Sequence, residues 1–318
     1  MKNREASPPT VPVTVIGGYL GAGKTTLVNH LLRQANGLRL AVLVNEFGAL
    51  PIDADLIESS DENVINIAGG CVCCSYGSDL MAALMDLQQV QPAPDHILIE
   101  ASGVALPEAI AQSVTLITRY VIDGIVLLAD AETIRKYGTD RYLADTIKRQ
   151  LAAANIVLLN KVDLPKPGAL EETRQWLAAQ CAKGHIVETE NADIPLPLIL
   201  GAQFENLVTE VPHHHHDHNH DNPHAEHDTL VMTLDHPVDP EALATKLADP
   251  KLNLIRAKGF VRGLDGQIYA VQIIGRRWNL TIASDTPANL GKIICIRFRH
   301  PIDLEAISEV VLSSRTGA

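Results

Sequence analysis

Three groups of residues have types and spacings that could do chemistry. In the first, Gly18, Gly23, Lys24 and Thr25 complete the pattern G-x-x-x-x-G-K-[ST] inside VTVIGGYLGAGKTTLVN. An apolar β-branched run precedes the pattern and an amphipathic run follows it, which is the strand, loop and helix setting a phosphate-binding loop requires. Gly17, Gly18, Gly21 and Gly23 free the backbone to turn N–H groups inward on a phosphate chain, so Gly18, Gly21, Ala22, Gly23, Lys24, Thr25 and Thr26 form the expected cradle. Lys24 reaches the outer phosphates. Thr25, in the first helical turn, offers a hydroxyl to Mg²⁺ where the helix N-terminus adds partial positive charge. A nucleoside triphosphate with Mg²⁺ is the expected ligand.

The second group specifies which nucleotide. Asn160, Lys161, Val162 and Asp163 form N-K-x-D at the end of an apolar run, Asn155 to Leu159. A carboxylate at Asp163 accepts both hydrogens from guanine N1 and N2, which adenine cannot supply, while the Lys161 stem covers the base and Asn160 steadies the loop. Downstream of a phosphate loop this motif selects GTP over ATP. Glu100 closes another apolar run, Ile97 to Ile99, and occupies the position that holds Mg²⁺ directly or through water and orients the attacking water. Lys24 and Glu100 are the expected catalytic residues. Ser102 follows in A-S-G, which lacks the first glycine of G-x-S-x-G and is not read as a nucleophile.

The third group is Gly69, Gly70, Cys71, Val72, Cys73, Cys74. Thiolates two apart and adjacent cannot all face one way on a regular strand or helix, so a loop wrapped around something is expected. Soft thiolates suit Zn²⁺, Cu⁺ and other thiophilic metals, with buried inert cysteines or a Cys71–Cys74 redox pair as alternatives. A different metal-binding composition comes later, where His213, His214, His215, His216, His218, His220, His224 and His227 lie among Asp and Asn. Lacking an apolar pattern, this tract is expected to be a mobile linker that binds divalent metals weakly but in number.

The chain must supply elements that hold these groups. At 318 residues it exceeds the size at which one core usually keeps growing, so two domains are expected. A net charge of −12 argues against a nucleic-acid partner, and no apolar run reaches membrane-spanning length. The N-terminus lacks the apolar core of a signal peptide, and five cysteines in so long a chain make no disulfide scaffold, so a cytoplasmic location is the default.

Apolar periodicity predicts a helix from Lys24 to about Gln34, with His30 a polar surface or helix-end residue, and a strand over Leu40–Val44 leading to Glu46. A helix carrying Leu80, Ala83, Leu84 and Leu87 follows. Further on come a strand over Gly124–Ala129 ending at Asp130 and a helix carrying Tyr142, Thr146 and Leu151. A helix over Ala169–Ala179, with Trp176 packing rather than contacting a ligand, precedes a strand over His185–Glu188. The fold class is α/β: a P-loop GTPase domain with a mostly parallel sheet flanked by helices. Predicted boundaries are a flexible tail 1–10, this domain 11–208, a His-rich linker 209–228 and a small C-terminal α+β domain 229–318. In the last, strands over 230–234, 254–261, 268–274 and 292–298 accompany helices over 239–247 and 304–312. Arg256, Lys258, Arg262, Arg276 and Arg277 make its sheet locally basic, either as a solvated face or for docking onto an acidic partner or the other domain.

With these residues in place, the chain resembles the CobW-type family of GTP-dependent metallochaperones, relatives of the GTPases that mature urease, hydrogenase and cobalamin enzymes. GGYLGAGKTT is similar to the family's P-loop, NEFG to its first switch, GGCVCC to its C-x-C-C signature, EASG to its Walker B element and NKVD to its base-specifying loop. RAKGF, Arg256 to Phe260, is similar to the lead into its C-terminal domain. The resemblance implies a transition-metal site at Cys71, Cys73 and Cys74, shared in some members with the switch glutamate, here Glu46. It implies GTP, Mg²⁺ and Zn²⁺ or Co²⁺ as cofactors. The implied activity is slow GTP hydrolysis coupled to delivery of the metal to a client metalloprotein or a metal-inserting enzyme of the cobalamin pathway. A homodimer is left open. Two other readings stand beside this one: a metal buffer working through the histidine tract, and a P-loop kinase of a small metabolite.

Overall fold

The computed structural model describes residues 10–35, 37–44, 64–68, 78–181, 184–201, 227–283 and 285–314. The sites expected at Glu46, at Cys71, Cys73 and Cys74, and at His213 through His224 lie outside the described residues.

Seven strands form the first sheet: β1 (Val11–Gly18), β2 (Leu40–Val44), β3 (Val64–Ala68), β4 (His96–Glu100), β5 (Tyr120–Asp130), β6 (Ile156–Asn160) and β7 (His185–Thr189). Their order is β3-β2-β4-β1-β5-β6-β7, and every described pairing is parallel. A parallel sheet covered on both faces makes its strands continuous apolar runs, and β2, β4 and β6 are buried at every position. The covering helices are α1 (Lys24–Arg33), α2 (Ser78–Leu87), α3 (Pro107–Val114), α4 (Ile134–Thr139), α5 (Ala144–Ala153) and α6 (Pro167–Gln180), with the short α7 (Leu196–Ile199) leading out. Central β1 lies between β4 and β5, so the carboxyl ends of β1, β4, β5 and β6 converge on one crevice, where open α/β sheets take their ligands.

The second unit is a five-stranded antiparallel sheet in the order β11-β10-β9-β12-β8. Its strands are β8 (His227–Thr233), β9 (Arg256–Arg262), β10 (Ile268–Ile274), β11 (Arg277–Ile282) and β12 (Lys292–Phe298). Helices α8 (Pro240–Leu247) and α9 (Leu304–Ser313) cover one face. Asp239 caps α8 by accepting from the N–H groups of Glu241 and Ala242, and Pro240 occupies the first turn, where its missing N–H costs nothing. The other face turns to the nucleotide-binding unit: Ile255, Ile274, Ile294, Ile296 and Phe298 share one core cluster with Ile16, Leu98, Val126 and Leu158.

The structure departs from the sequence expectations in particular places. Tyr142 precedes α5 instead of lying in it and is 81% exposed. β3, α3, α4 and the edge strand β11 had not been expected. His227, expected in the linker, opens β8 opposite Phe298. Trp176 packs as expected, across Gly138, where even a Cβ would overlap its ring.

Candidate nucleotide-binding site

The site begins where β1 can no longer be a strand. Gly18 has φ 135°, and a Cβ there would overlap the carbonyl oxygen of Leu128 on β5. Gly23 has φ 105°, and its Cβ would lie 2.6 Å from Nδ2 of Asn160. Between these two glycines the chain turns, with the Ala22 N–H donating to Tyr19 O at 3.2 Å. It then enters α1, whose first turn carries no acidic side chain to offset the positive end of its dipole. Lys24, the first residue of α1, is 8% exposed.

Thr25 and Glu100 lie within hydrogen-bond reach of each other. The Thr25 hydroxyl donates to Oε1 of Glu100 at 2.9 Å, and Glu100 is 2% exposed at the end of β4. A hydroxyl and a carboxylate side by side at a helix N-terminus form a hard-oxygen donor pair that fits Mg²⁺. The chain after Glu100 runs directly beside the phosphate loop: a Cβ on Gly103 would lie 2.9 Å from the Leu20 nitrogen. Gln150 of α5, fully buried, donates from Nε2 to Gly103 O at 3.2 Å and to Ala105 O at 2.7 Å, fixing that segment from behind.

Asn160 ties the base loop to the phosphate loop. Its Nδ2 donates to Ala22 O at 2.9 Å, and its Oδ1 accepts from the Ala192 N–H at 2.7 Å and the Thr189 hydroxyl at 3.2 Å. Lys161 follows in the left-handed region, φ 63°, which a non-glycine residue seldom adopts. Its ammonium lies 2.7 Å from Oδ2 of Asp130, at the end of β5. Asp163 is exposed. His30 sits on α1 with Nδ1 3.3 Å from Ala192 O, a helix-end role as expected.

The structure thus gathers Gly18, Gly23, Lys24, Thr25, Glu100, Asn160 and Lys161 from three strand ends, those of β1, β4 and β6. Sequence reasoning passed over Asp130 as a partner of Lys161, and it passed over Gln150 altogether. An aspartate closing the strand next to the one that carries N-K-x-D was the available signal for the first. Nothing local marks Gln150, because its partners are backbone carbonyls on a distant loop.

Residues 12–188 match the model of the CobW/HypB/UreG nucleotide-binding domain, and residues 227–292 match the cobalamin synthesis protein CobW C-terminal domain. The chain belongs to the CobW/HypB/UreG family. It is 28% identical over 296 residues to a protein of Sinorhizobium sp named Zinc chaperone CobW, covering 82% of this chain and 84% of that one. It is also 31% identical over 273 residues to Zinc chaperone YjiA of Escherichia coli, covering 81% and 83%. The solved Zn(II)-bound YjiA GTPase aligns over 96% of this chain and 99% of its own, at 24% identity and a TM-score of 0.46. Among the described residues no helix is long and apolar enough to cross a membrane.

Proposed function

We propose that this protein is a GTP-dependent metal chaperone. GTP occupies the crevice, with its phosphates on residues 18–26 and guanine read by Asp163. Thr25 and Glu100 would hold Mg²⁺, which would supply Lewis-acid charge stabilisation to the phosphates, and Glu100 orients the attacking water. Lys24 carries the charge that develops on the phosphate oxygens. Cys71, Cys73 and Cys74, with Glu46, bind the transition metal, which hydrolysis releases to a client protein. The names of the relatives support zinc rather than cobalt as the cargo. Supporting the reading most directly is the Asn160 side chain, which joins the N-K-x-D loop to the phosphate loop within a chain matching the family at both ends.

Glu46 and the cysteines lie in sequence between the phosphate loop and Glu100, where γ-phosphate orders switch segments in GTPases. Nucleotide and metal are therefore coupled, typically by about 1–3 kcal/mol, or roughly 5–150-fold in affinity. The histidine tract favours a second role, local buffering, because flexible imidazoles bind several ions weakly.

The test is a competition titration with Zn²⁺ and Co²⁺ in the presence of GTP, GDP or neither. Cys73→Ser with Cys74→Ser is expected to remove one tight, nucleotide-sensitive ion, while deletion of residues 213–226, which leaves His227 in β8, lowers only total capacity. A nucleotide-sensitive ion that disappears with the histidines and survives loss of the cysteines would overturn the chaperone mechanism in favour of buffering.

A further inference from the structure

The carboxylate of Asp130 does two separate jobs with its two oxygens. Oδ1 accepts from the Glu132 N–H at 2.9 Å and the Thr133 N–H at 3.2 Å, holding the turn that leaves β5. Oδ2 takes the Lys161 ammonium at 2.7 Å. Backbone register brings the two residues together: Asp130 pairs with Asn160 across β5 and β6, and the Ala131 N–H donates to Asn160 O at 2.9 Å. The Asp130 side chain is 10% exposed and that of Lys161 32%, so the pair sits at the rim of the crevice with its anionic half buried.

We propose that Asp130 is a positioning residue for guanine-nucleotide binding, anchoring the Lys161 ammonium so that the lysine stem is preset as the platform on which the base lies. The proposal rests on the guanine reading above. A lysine carries several freely rotating bonds, and ordering it only when nucleotide arrives would draw on binding energy. Asp130 removes that freedom in the empty protein. A partly exposed ion pair contributes little to folding, so the effect belongs to the base end of the ligand and not to stability or chemistry. GTP and GDP share that end, and both therefore feel the loss of the anchor by the same factor.

Asp130→Asn separates the two jobs, since the amide oxygen can still accept from Glu132 and Thr133 while the charge that holds Lys161 is gone. The experiment measures GDP and ADP binding to the full chain, and GTP turnover, for wild type, Asp130→Asn, Lys161→Met and the double variant. Asp130→Asn is expected to raise the Kd of GDP and the KM of GTP together by about 3–10-fold, the factor set by immobilising one long side chain. The kcat at saturation stays put. In the Lys161→Met background, Asp130→Asn is expected to change GDP affinity by less than about twofold, because the group it acts through has gone.

An equal loss in both backgrounds would overturn the proposal and assign Asp130 to its turn, and a fall in kcat at unchanged KM would overturn it as well. Wild type that preferred GDP to ADP while Asp130→Asn bound GDP normally would sink the Asp130 proposal and leave the guanine reading standing. Wild type with no preference for GDP would sink both.

Discussion

At the scale of single residues the site reads as complementary hydrogen bonding. Asp163 is exposed and able to present two acceptors to a base edge, whereas Asn160 is buried and wholly committed to protein partners. Substituting each should therefore do different things. Asp163→Asn replaces one acceptor with a donor, so GDP affinity is expected to fall at least about tenfold while xanthosine diphosphate gains relative to it. Competition binding with the two nucleotides checks this, and an unchanged ratio would remove Asp163 from base recognition. Lys24, Thr25, Asn160 and Asp163 were legible in the sequence because each belongs to a short motif whose spacing encodes its geometry. Asp130, Asp123 and Gln150 were not, since their partners lie far away in sequence and only the folded sheet brings them together.

At the scale of elements, strands buried on both faces announced themselves and edges did not. β2 is an unbroken apolar run, and β4 and β6 contain the apolar runs Ile97–Ile99 and Ile156–Leu159, so they stood out in the sequence. β11 reads Arg-Trp-Asn-Leu-Thr-Ile and is largely exposed, leaving too weak a pattern to find. The segment between Glu100 and α3 was likewise illegible as a structured loop, because Gln150 on a distant helix supplies part of its order. Gln150→Leu keeps approximate volume and removes both donors, stranding two carbonyl oxygens at a cost of about 1–3 kcal/mol. Because the loosened segment follows Glu100 and abuts Leu20, single-turnover GTP hydrolysis is expected to slow several-fold while GDP affinity moves less than about twofold. Equal changes in both measurements would show that the clamp supports the whole crevice and not this loop.

At the scale of the whole molecule, Arg256 and Arg277 of the second sheet serve the contact between the two units, whereas Arg262 donates to Gly266 O within its own unit. Arg256, 2% exposed, donates to Oδ2 of Asp123 at 2.7 Å, and Gln272 donates to Oδ1 at 2.7 Å. Burial alone would raise the Asp123 carboxyl, but the Arg256 guanidinium beside it, with His96 and the Gly201 N–H, holds it below the usual range. Arg256→Met strands that carboxylate and is expected to lower stability by about 3–5 kcal/mol, with Asp123→Asn in the same chain restoring part of the loss. Urea unfolding of the three variants measures it, and additive losses would mean the pair is not coupled.

His96, fully buried, lies within 2.8 Å of the Thr14 hydroxyl, which in turn lies 3.5 Å from Asp123. Burial is the main reason its pKa falls to about 4; Asp123 opposes the shift, and Arg256 and Lys258 reinforce it. His185, depressed to about 4 by burial, Arg276 and Arg297, acts in the same sense. Above the unfolded value of 6.5 the imidazole is neutral in both states and its contribution is intact. As pH falls from 6.5 toward 4 the unfolded chain takes a proton that the folded one refuses, so stability declines by up to about 1.4 kcal/mol per pH unit for each such group. Denaturation midpoints between pH 7.5 and 4.5 test this, and His96→Gln is expected to flatten the slope. A slope unchanged by that substitution would exclude His96 as its source.

Asp123 has one further partner, the Gly201 N–H at 3.0 Å, so the nucleotide-binding unit holds the chain fast just before the histidine tract begins. On the far side the chain is caught again at once, His227 entering β8 against β12. Residues 202–226 thus connect, along the chain, two points that the described residues already join through the protein interior. Cutting the chain there, at an engineered protease site, is expected to yield two fragments that co-migrate as one particle and still bind nucleotide. Separation of the fragments on gel filtration would mean that covalent continuity, and not the Asp123 contact and the shared apolar core, holds the protein in one piece.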